Sequence, residues 1–139
     1  MDNTKRSQLV ATIEDRGHSD SGPRALVSRS EFFDGNDDLG SIGCNLDEHP
    51  GTEAFDEAFR AIEALPNVSG VYFAISELLD EEDMWPFSDT AYIVTSQPAS
   101  DFQEILEPLE PDSIEAQTEQ FANPPAIPAG HSLVQVWWD

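Results

Sequence analysis

The most regular pattern in the sequence is an amphipathic helix that leads directly into an apolar strand. The apolar residues of the helix recur at helical spacing, and they are Phe55, Phe59, Ile62 and Leu65. Thr52 can cap this helix and Pro66 ends it. The stretch GVYFAIS then alternates between two faces, one of which carries Val71, Phe73 and Ile75. A helix packed on a sheet is therefore the first expectation for the fold.

Further strand and helix patterns lie on either side of this unit. SIGCNL is typical of a short strand with three residues on one face, namely Ile42, Cys44 and Leu46. TAYIVTS and HSLVQVWW predict two later strands, and a capping box at Ser100 and Gln103 opens a helix between them. Asp112 with Glu115 suggests one more short helix. The order of the main elements predicts an α+β fold, a ferredoxin-like split β-α-β sandwich with a four-stranded, mainly antiparallel sheet and helices on one face.

The beginning of the chain is polar and carries little periodicity. Most of residues 1–23 is therefore predicted to form a flexible N-terminal arm, and residues 24–139 a single α+β domain. Within the arm, the short run from Leu9 to Ile13 is compatible with an extra edge strand or with part of a helix. Just after that boundary, Ser28 and Glu31 form a capping box. The box predicts one helical turn with Phe32 and Phe33 pointing inward.

The charge of the chain restricts its partners more than any motif does. The formal net charge is -22, from 28 acidic and 6 basic residues, and no Lys or Arg follows Arg60. Such a surface repels nucleic acid and anionic membranes and attracts basic proteins. The acidity would equally serve solubility in a saline cytoplasm, where salt screens the self-repulsion.

The sequence also indicates a cellular compartment. It has no stretch with the length of a membrane span and no pattern of a secretion signal, so a cytoplasmic location is expected. Cys44 is the single cysteine, which forbids an internal disulfide. Because it flanks an apolar pattern and basic neighbours are scarce, we expect a buried structural thiol.

The stretch EFFDGNDDLGSIGCN resembles a calcium loop in part. Asp34, Asn36 and Asp38 fall where such a loop has its first, third and fifth ligands, but the required Gly and the closing Glu are both missing. The alternative is a turn whose Asp and Asn side chains bond nearby amides. We expect no metal site, and calcium binding by Asp34, Asn36, Asp37 and Asp38 is kept as an alternative hypothesis.

Motifs for catalysis and for cofactor binding are missing from the sequence. His18, His49 and His131 are too far apart for a metal-ligand spacing, and no phosphate loop, nucleophile elbow or zinc pattern occurs. A catalytic Cys44 would need a base to which the sequence does not point. We therefore expect a protein that is not an enzyme and holds no cofactor, with a small hydrolase as the alternative.

The acidic and aromatic stretch LLDEEDMWPFSD is the strongest candidate for a binding surface. Aromatic anchor residues surrounded by charge are typical of protein interfaces, and the charge would steer a basic partner. The predicted partner-binding residues are Asp80, Glu81, Glu82, Asp83, Trp85 and Asp89. The alternative is that Trp85 and Phe87 fold back onto the core while the acids face water.

Two adjacent tryptophans, Trp137 and Trp138, lie in the last predicted strand. Because neighbouring residues of a strand point to opposite faces, one of Trp137 and Trp138 should join the core. The other is expected to be covered by the N-terminal segment or exposed as a contact.

The segments GNDDLGSIGCNL, WPFSD and WWD together resemble a group of small uncharacterised bacterial proteins, from about Leu26 onward. That resemblance implies no activity and no catalytic residue. The size, acidity and α/β pattern are also similar to bacterial toxin-immunity proteins, which neutralise basic nucleases by covering them. The leading hypothesis is therefore a cytoplasmic protein-binding module, an immunity-type inhibitor of a basic partner that binds neither nucleic acid nor membrane. An acidic housekeeping or stress protein is the main alternative.

Overall fold

A five-stranded antiparallel sheet forms one layer of the fold. The computed structural model describes residues 1–78 and 83–139 of the chain. Within those residues the strands are β1 (Leu26–Ser28), β2 (Val68–Ala74), β3 (Thr90–Thr95), β4 (Ser113–Ala116) and β5 (Ser132–Trp137). Their order is β1-β2-β3-β5-β4, and every neighbouring pair is antiparallel. The sheet is open, so β1 and β4 form its two edges.

The helices of the described residues are short apart from two. They are α1 (Asn3–Asp15), α2 (Arg29–Phe33), α3 (Thr52–Glu63) and α4 (Gln103–Leu106), with 3-10 turns at Leu39–Ser41, Ala99–Phe102 and Glu107–Leu109. The predicted capping box at Ser28 and Glu31 is present at the start of α2. Thr52, in contrast, does not cap α3, because its hydroxyl donates to the carbonyl oxygen of Asn36 at 3.0 Å.

The α+β class is confirmed, but the predicted four-stranded, ferredoxin-like sandwich is not. That topology needs a strand directly before α3, where the chain instead makes turns. Gly43 interrupts the expected strand with a φ of 62°, and a side chain there would lie 2.8 Å from the ring of Phe55. Cys44 on this turn is exposed, which corrects the prediction of a buried thiol.

The main core lies between the sheet and its helices. Phe32 stacks on Phe73 with ring centroids 5.1 Å apart, and Phe59 meets Phe73 edge to face at the same distance. Trp138 joins this core with 2% exposure. Val71, Phe73 and Ile75 share the core face, as the alternation predicts. This aromatic packing fixes the sheet against α2 and α3.

The other face of the sheet, here called the outer face, carries a smaller apolar cluster. Its buried residues are Leu26, Ala74, Tyr92, Val94, Phe121 and Leu133. Phe121 packs edge to face on Tyr92 at 4.9 Å between ring centroids. The irregular, proline-rich segment around Phe121 therefore covers part of the outer face.

Residues 3–15 form a helix, which differs from the flexible arm predicted for residues 1–23. Asp2 caps the helix by accepting a hydrogen bond from the Lys5 amide. Leu9 and Ile13 pack into the main core with 5% and 0% exposure. The apolar pattern of this helix is weak because Leu9 and Ile13 are its only buried apolar residues, while polar and small residues make up most of the rest.

Candidate functional site

The predicted partner-binding residues fall only partly within the described residues. Asp80, Glu81 and Glu82 lie outside them. Asp83 is exposed and Asp89 is half-buried. Trp85 is 0% exposed, so its indole offers no surface to a partner. The structure thus corrects the role of exposed aromatic anchor that the sequence suggested for Trp85.

Two contacts with distant parts of the chain hold Trp85 inward. The Trp85 amide donates to Asp38 Oδ2 at 2.9 Å. Next to it, Arg6 Nε donates to the carbonyl oxygen of Met84 at 2.6 Å. The partners are 47 and 78 residues away in the sequence, so no local pattern indicates them.

The carboxylates of the 34–38 loop point to separate partners. Asp34 accepts a hydrogen bond from Lys5 Nζ at 2.6 Å, and Asp37 lies 2.9 Å from the Met1 amino group. Asp38 instead accepts from backbone amides on both of its oxygens. Across residues 1–78 and 83–139, no group of three or more His, Cys, Asp or Glu side chains could hold a metal ion. Asn36 and Asp38 accept from amides of the loop, as the turn alternative describes, and Asp34 joins the loop to α1.

A network of polar side chains lies on the outer face around Arg24. Its guanidinium binds both carboxylate oxygens of Glu119, at 2.8 and 2.6 Å, and Asp89 Oδ1 at 3.1 Å. Ser76 donates to the same Asp89 oxygen at 2.8 Å. The Tyr92 hydroxyl donates a hydrogen bond to Glu119. The network joins β2 and β3 to the irregular segment that carries Glu119.

The protonation states of this network follow from burial and from its hydrogen bonds. Burial alone would raise the pKa of Glu119, but the hydrogen bonds from Arg24 and Tyr92 bring it below its ordinary value. The pKa of Asp89 is also lowered, because the hydrogen bonds that it accepts outweigh its burial. Burial and the bond to Glu119 raise the pKa of Tyr92 to about 12. The network therefore consists of two ionised carboxylates that both bind one guanidinium. Such an arrangement stabilises the contact between the parts of the chain that it joins.

The three histidines hold backbone and neighbouring side chains in place. His18 Nδ1 accepts from the Ala25 amide at 3.1 Å. His49 bonds the Ile42 carbonyl oxygen at 2.7 Å. His131 lies 3.2 Å from the hydroxyl of Ser69. Each ring stabilises a different part of the fold.

Every basic side chain of the sequence contacts an acceptor on the chain itself. The contacts join Lys5 to Asp34, Arg6 to the Met84 carbonyl, Arg16 to Glu31, Arg24 to Asp89 and Glu119, Arg29 to Asp56 and Glu63, and Arg60 to Asp56. All six basic side chains thus form ion pairs or hydrogen bonds within the molecule. The many remaining exposed acids contribute a negative field that the chain does not compensate.

A group of these acids lies in and beside β4, at one edge of the sheet. We define the acidic edge as β4 together with five exposed carboxylates, namely Glu104, Glu107, Glu110, Asp112 and Glu115. Four of them line an open groove of ≈ 780 Å³ between α4 and the start of β4. The basic residue nearest in sequence is Arg60. This edge therefore combines negative charge with a concave surface.

An exposed tryptophan stands beside the acidic edge. Trp137 is 37% exposed, whereas its neighbour Trp138 is buried, which confirms that the two residues take opposite faces. In the sheet register Trp137 lies across from Ser113, and Glu115 follows two residues along the same face. A side chain that stacks on this indole would lie within reach of the Glu115 carboxylate.

Few sequence features point to the acidic edge as a site. The stretch around Asp112 and Glu115 suggested a short helix, but it contains the edge strand β4. The available signal was the pattern Ser-Ile-Glu-Ala, in which Ile114 alternates with polar neighbours and packs against the main core.

None of the helices in the described part of the chain has the length and apolar character that crossing a bilayer requires.

Comparisons with known proteins identify relatives but no activity. A family model described as "Uncharacterized protein YfbO family" matches residues 4–136. The Escherichia coli (strain K12) protein named "Uncharacterized protein YfbO" is 32% identical over 136 residues, which is 96% of this chain and 95% of that protein. No solved structure matches the chain. The predicted resemblance to small uncharacterised bacterial proteins is thereby confirmed, while the likeness to toxin-immunity proteins stays a prediction.

Proposed function

The chain belongs to the YfbO family, and we propose that it is a non-enzymatic binding module for a basic protein, in the manner of an immunity-type inhibitor. The observation that carries this proposal is the internal use of all six cations, which leaves the exposed acids uncompensated. A surface of this kind attracts basic proteins and repels nucleic acid and anionic membranes. The proposed setting is the cytoplasm.

The binding mechanism has two steps under this proposal. The negative field first raises the rate of encounter with a basic partner. The partner then buries an exposed aromatic side chain, which slows its dissociation. Trp137 takes the anchor role, since Trp85 is buried. Asp83 and the acids at 80–82 contribute to the same steering field.

A non-catalytic role is supported by the state of the polar groups on the outer face. Asp89 and Glu119 are both held by Arg24, and the Tyr92 hydroxyl donates to Glu119. Groups that already satisfy one another stabilise the fold and are poorly placed to exchange protons with a substrate.

The proposal is tested by capturing proteins from a lysate of the source organism at rising salt. The immobilised baits are the unmodified chain, an acidic-edge variant (Glu107→Gln with Glu115→Gln) and a control variant (Glu14→Gln with Glu57→Gln). All four positions are exposed, so both variants lose the same charge without disturbing the core. We expect one basic protein to bind the unmodified chain and the control, to be released at high salt, and to be lost from the acidic-edge variant.

Two results would contradict the proposal. Equal retention of many basic proteins on all three baits would mean nonspecific attraction to a polyanion. Retention of no protein at any salt concentration would instead favour a housekeeping or stress protein. In that second candidate the uncompensated acids serve solubility in concentrated salt, and the free energy of unfolding should rise strongly with KCl.

A further inference from the structure

The two edges of the sheet differ in how their backbone is protected. At the β1 edge, the Asn123 side chain accepts from the Leu26 amide at 2.7 Å and donates to the Leu26 carbonyl oxygen at 3.0 Å. Arg16 donates to the same carbonyl oxygen at 3.0 Å. An amide side chain thus takes the place of a neighbouring strand, and the β1 edge is closed to further pairing.

The β4 edge has no such cover within residues 1–78 and 83–139. The backbone of Ser113–Ala116 is paired with β5 on one side, and no hydrogen bond joins its other side to a described residue. Glu115 and Ala116 are exposed. An unpaired strand edge presents a row of N–H and C=O groups that can accept another extended chain.

Charge decides which chain this edge can accept. Every ionisable side chain of the acidic edge is a carboxylate, so a second copy would bring the same charges against it and be repelled. The same carboxylates attract an extended segment in which Lys or Arg alternates with uncharged residues. One row of its side chains would face Glu115 and Trp137 on the outer face, where a cation can stack on the exposed indole.

We propose that the β4 edge binds an extended basic segment of the partner protein as a sixth strand of the sheet. This inference rests on the proposed function and adds the way in which the partner is held. Backbone hydrogen bonds along β4 supply part of the affinity, while the acidic edge selects a basic segment. The three-residue β1, closed by Asn123, cannot serve in the same way.

The test uses peptides in which the charge stays constant and only backbone donors change. The parent is a peptide of about six alternating Lys and Val residues, the length of a common strand. Two derivatives carry N-methyl groups on the Lys amides or on the Val amides. Only one of these sets of amides can face β4 in a given strand orientation, because successive N–H groups point to opposite sides.

We expect one methylated peptide to lose about tenfold or more in affinity, measured by calorimetry, while the other binds like the parent. The acidic-edge variant should weaken binding of the parent peptide, and the control variant should not. Equal binding of both methylated peptides would overturn strand addition. It would not contradict the proposed binding of a basic partner. Absence of binding by all three peptides at low salt would overturn both the inference and the proposed function.

Discussion

At the scale of single residues, Tyr92 and Glu119 show how the outer face is held together. Glu119 accepts hydrogen bonds from both Arg24 and the Tyr92 hydroxyl, and Gln135 donates to that hydroxyl at 2.9 Å. The carboxylate thus stabilises the neutral phenol, because a phenolate beside it would repel it. Phe121 on the same segment covers the Tyr92 ring. The titration of one tyrosine therefore reports whether the segment stays in place.

We predict that the phenol of Tyr92 titrates well above the ordinary value of 10.0, at a pKa of about 12. Because the pKa is raised on folding, the stabilisation by Tyr92 is fully present below pH 10.0 and is lost as the pH rises through about 12. The measurement is an absorbance titration of tyrosinate in a Tyr72→Phe variant, which leaves Tyr92 as the single tyrosine. Glu119→Gln should lower the midpoint, and an ordinary midpoint without that substitution would contradict the network.

Residue identity predicted some side-chain positions and not others. The opposite faces of Trp137 and Trp138 follow from strand alternation alone and are confirmed. The burial of Trp85 does not follow from its neighbours, because it depends on Asp38 and Arg6, which are far away in the sequence. Charged and aromatic residues that alternate over a short stretch therefore fit both an interface and a segment folded onto the core.

At the scale of elements, the long periodic segments and the capped turn α2 were predicted, whereas the two short edge strands were not. α3, β2, β3 and β5 lie where their patterns place them. β1 and β4 have only three and four residues, and strands this short gain their stability from pairing rather than from a pattern of their own. Sequence reasoning therefore missed both edges of the sheet, and with them the acidic edge.

The helix α1 is predicted to be part of the folded core. Ile13→Ala should lower the free energy of unfolding by roughly 2–5 kcal/mol, because it removes a fully buried side chain and leaves a cavity. The measurement is urea unfolding, with Gln8→Ala as the control on the exposed side of the same helix, expected to change stability by less than about 0.5 kcal/mol. If Ile13→Ala were as mild as the control, the flexible arm predicted for residues 1–23 would be the better description.

At the scale of the whole molecule, the charge of the surface and the topology of the sheet both favour binding of a basic segment at β4. The cations are placed where they join elements, such as Lys5 between α1 and the 34–38 loop and Arg24 between the strands and the 117–123 segment. The carboxylates that remain free give the surface its net charge. The open β4 edge lies within that field, so a basic segment is both attracted and offered a backbone to pair with.

The central claim is tested most directly by locating the contact surface of a basic ligand. Amide chemical shifts of the chain are followed while the alternating Lys and Val peptide is added at low salt. We expect the largest changes at residues 103–116 and 132–137 and at the indole N–H of Trp137, with little change around Glu14 and Glu57. Changes spread evenly over all exposed acids, or centred away from β4, would contradict the acidic edge as the binding site.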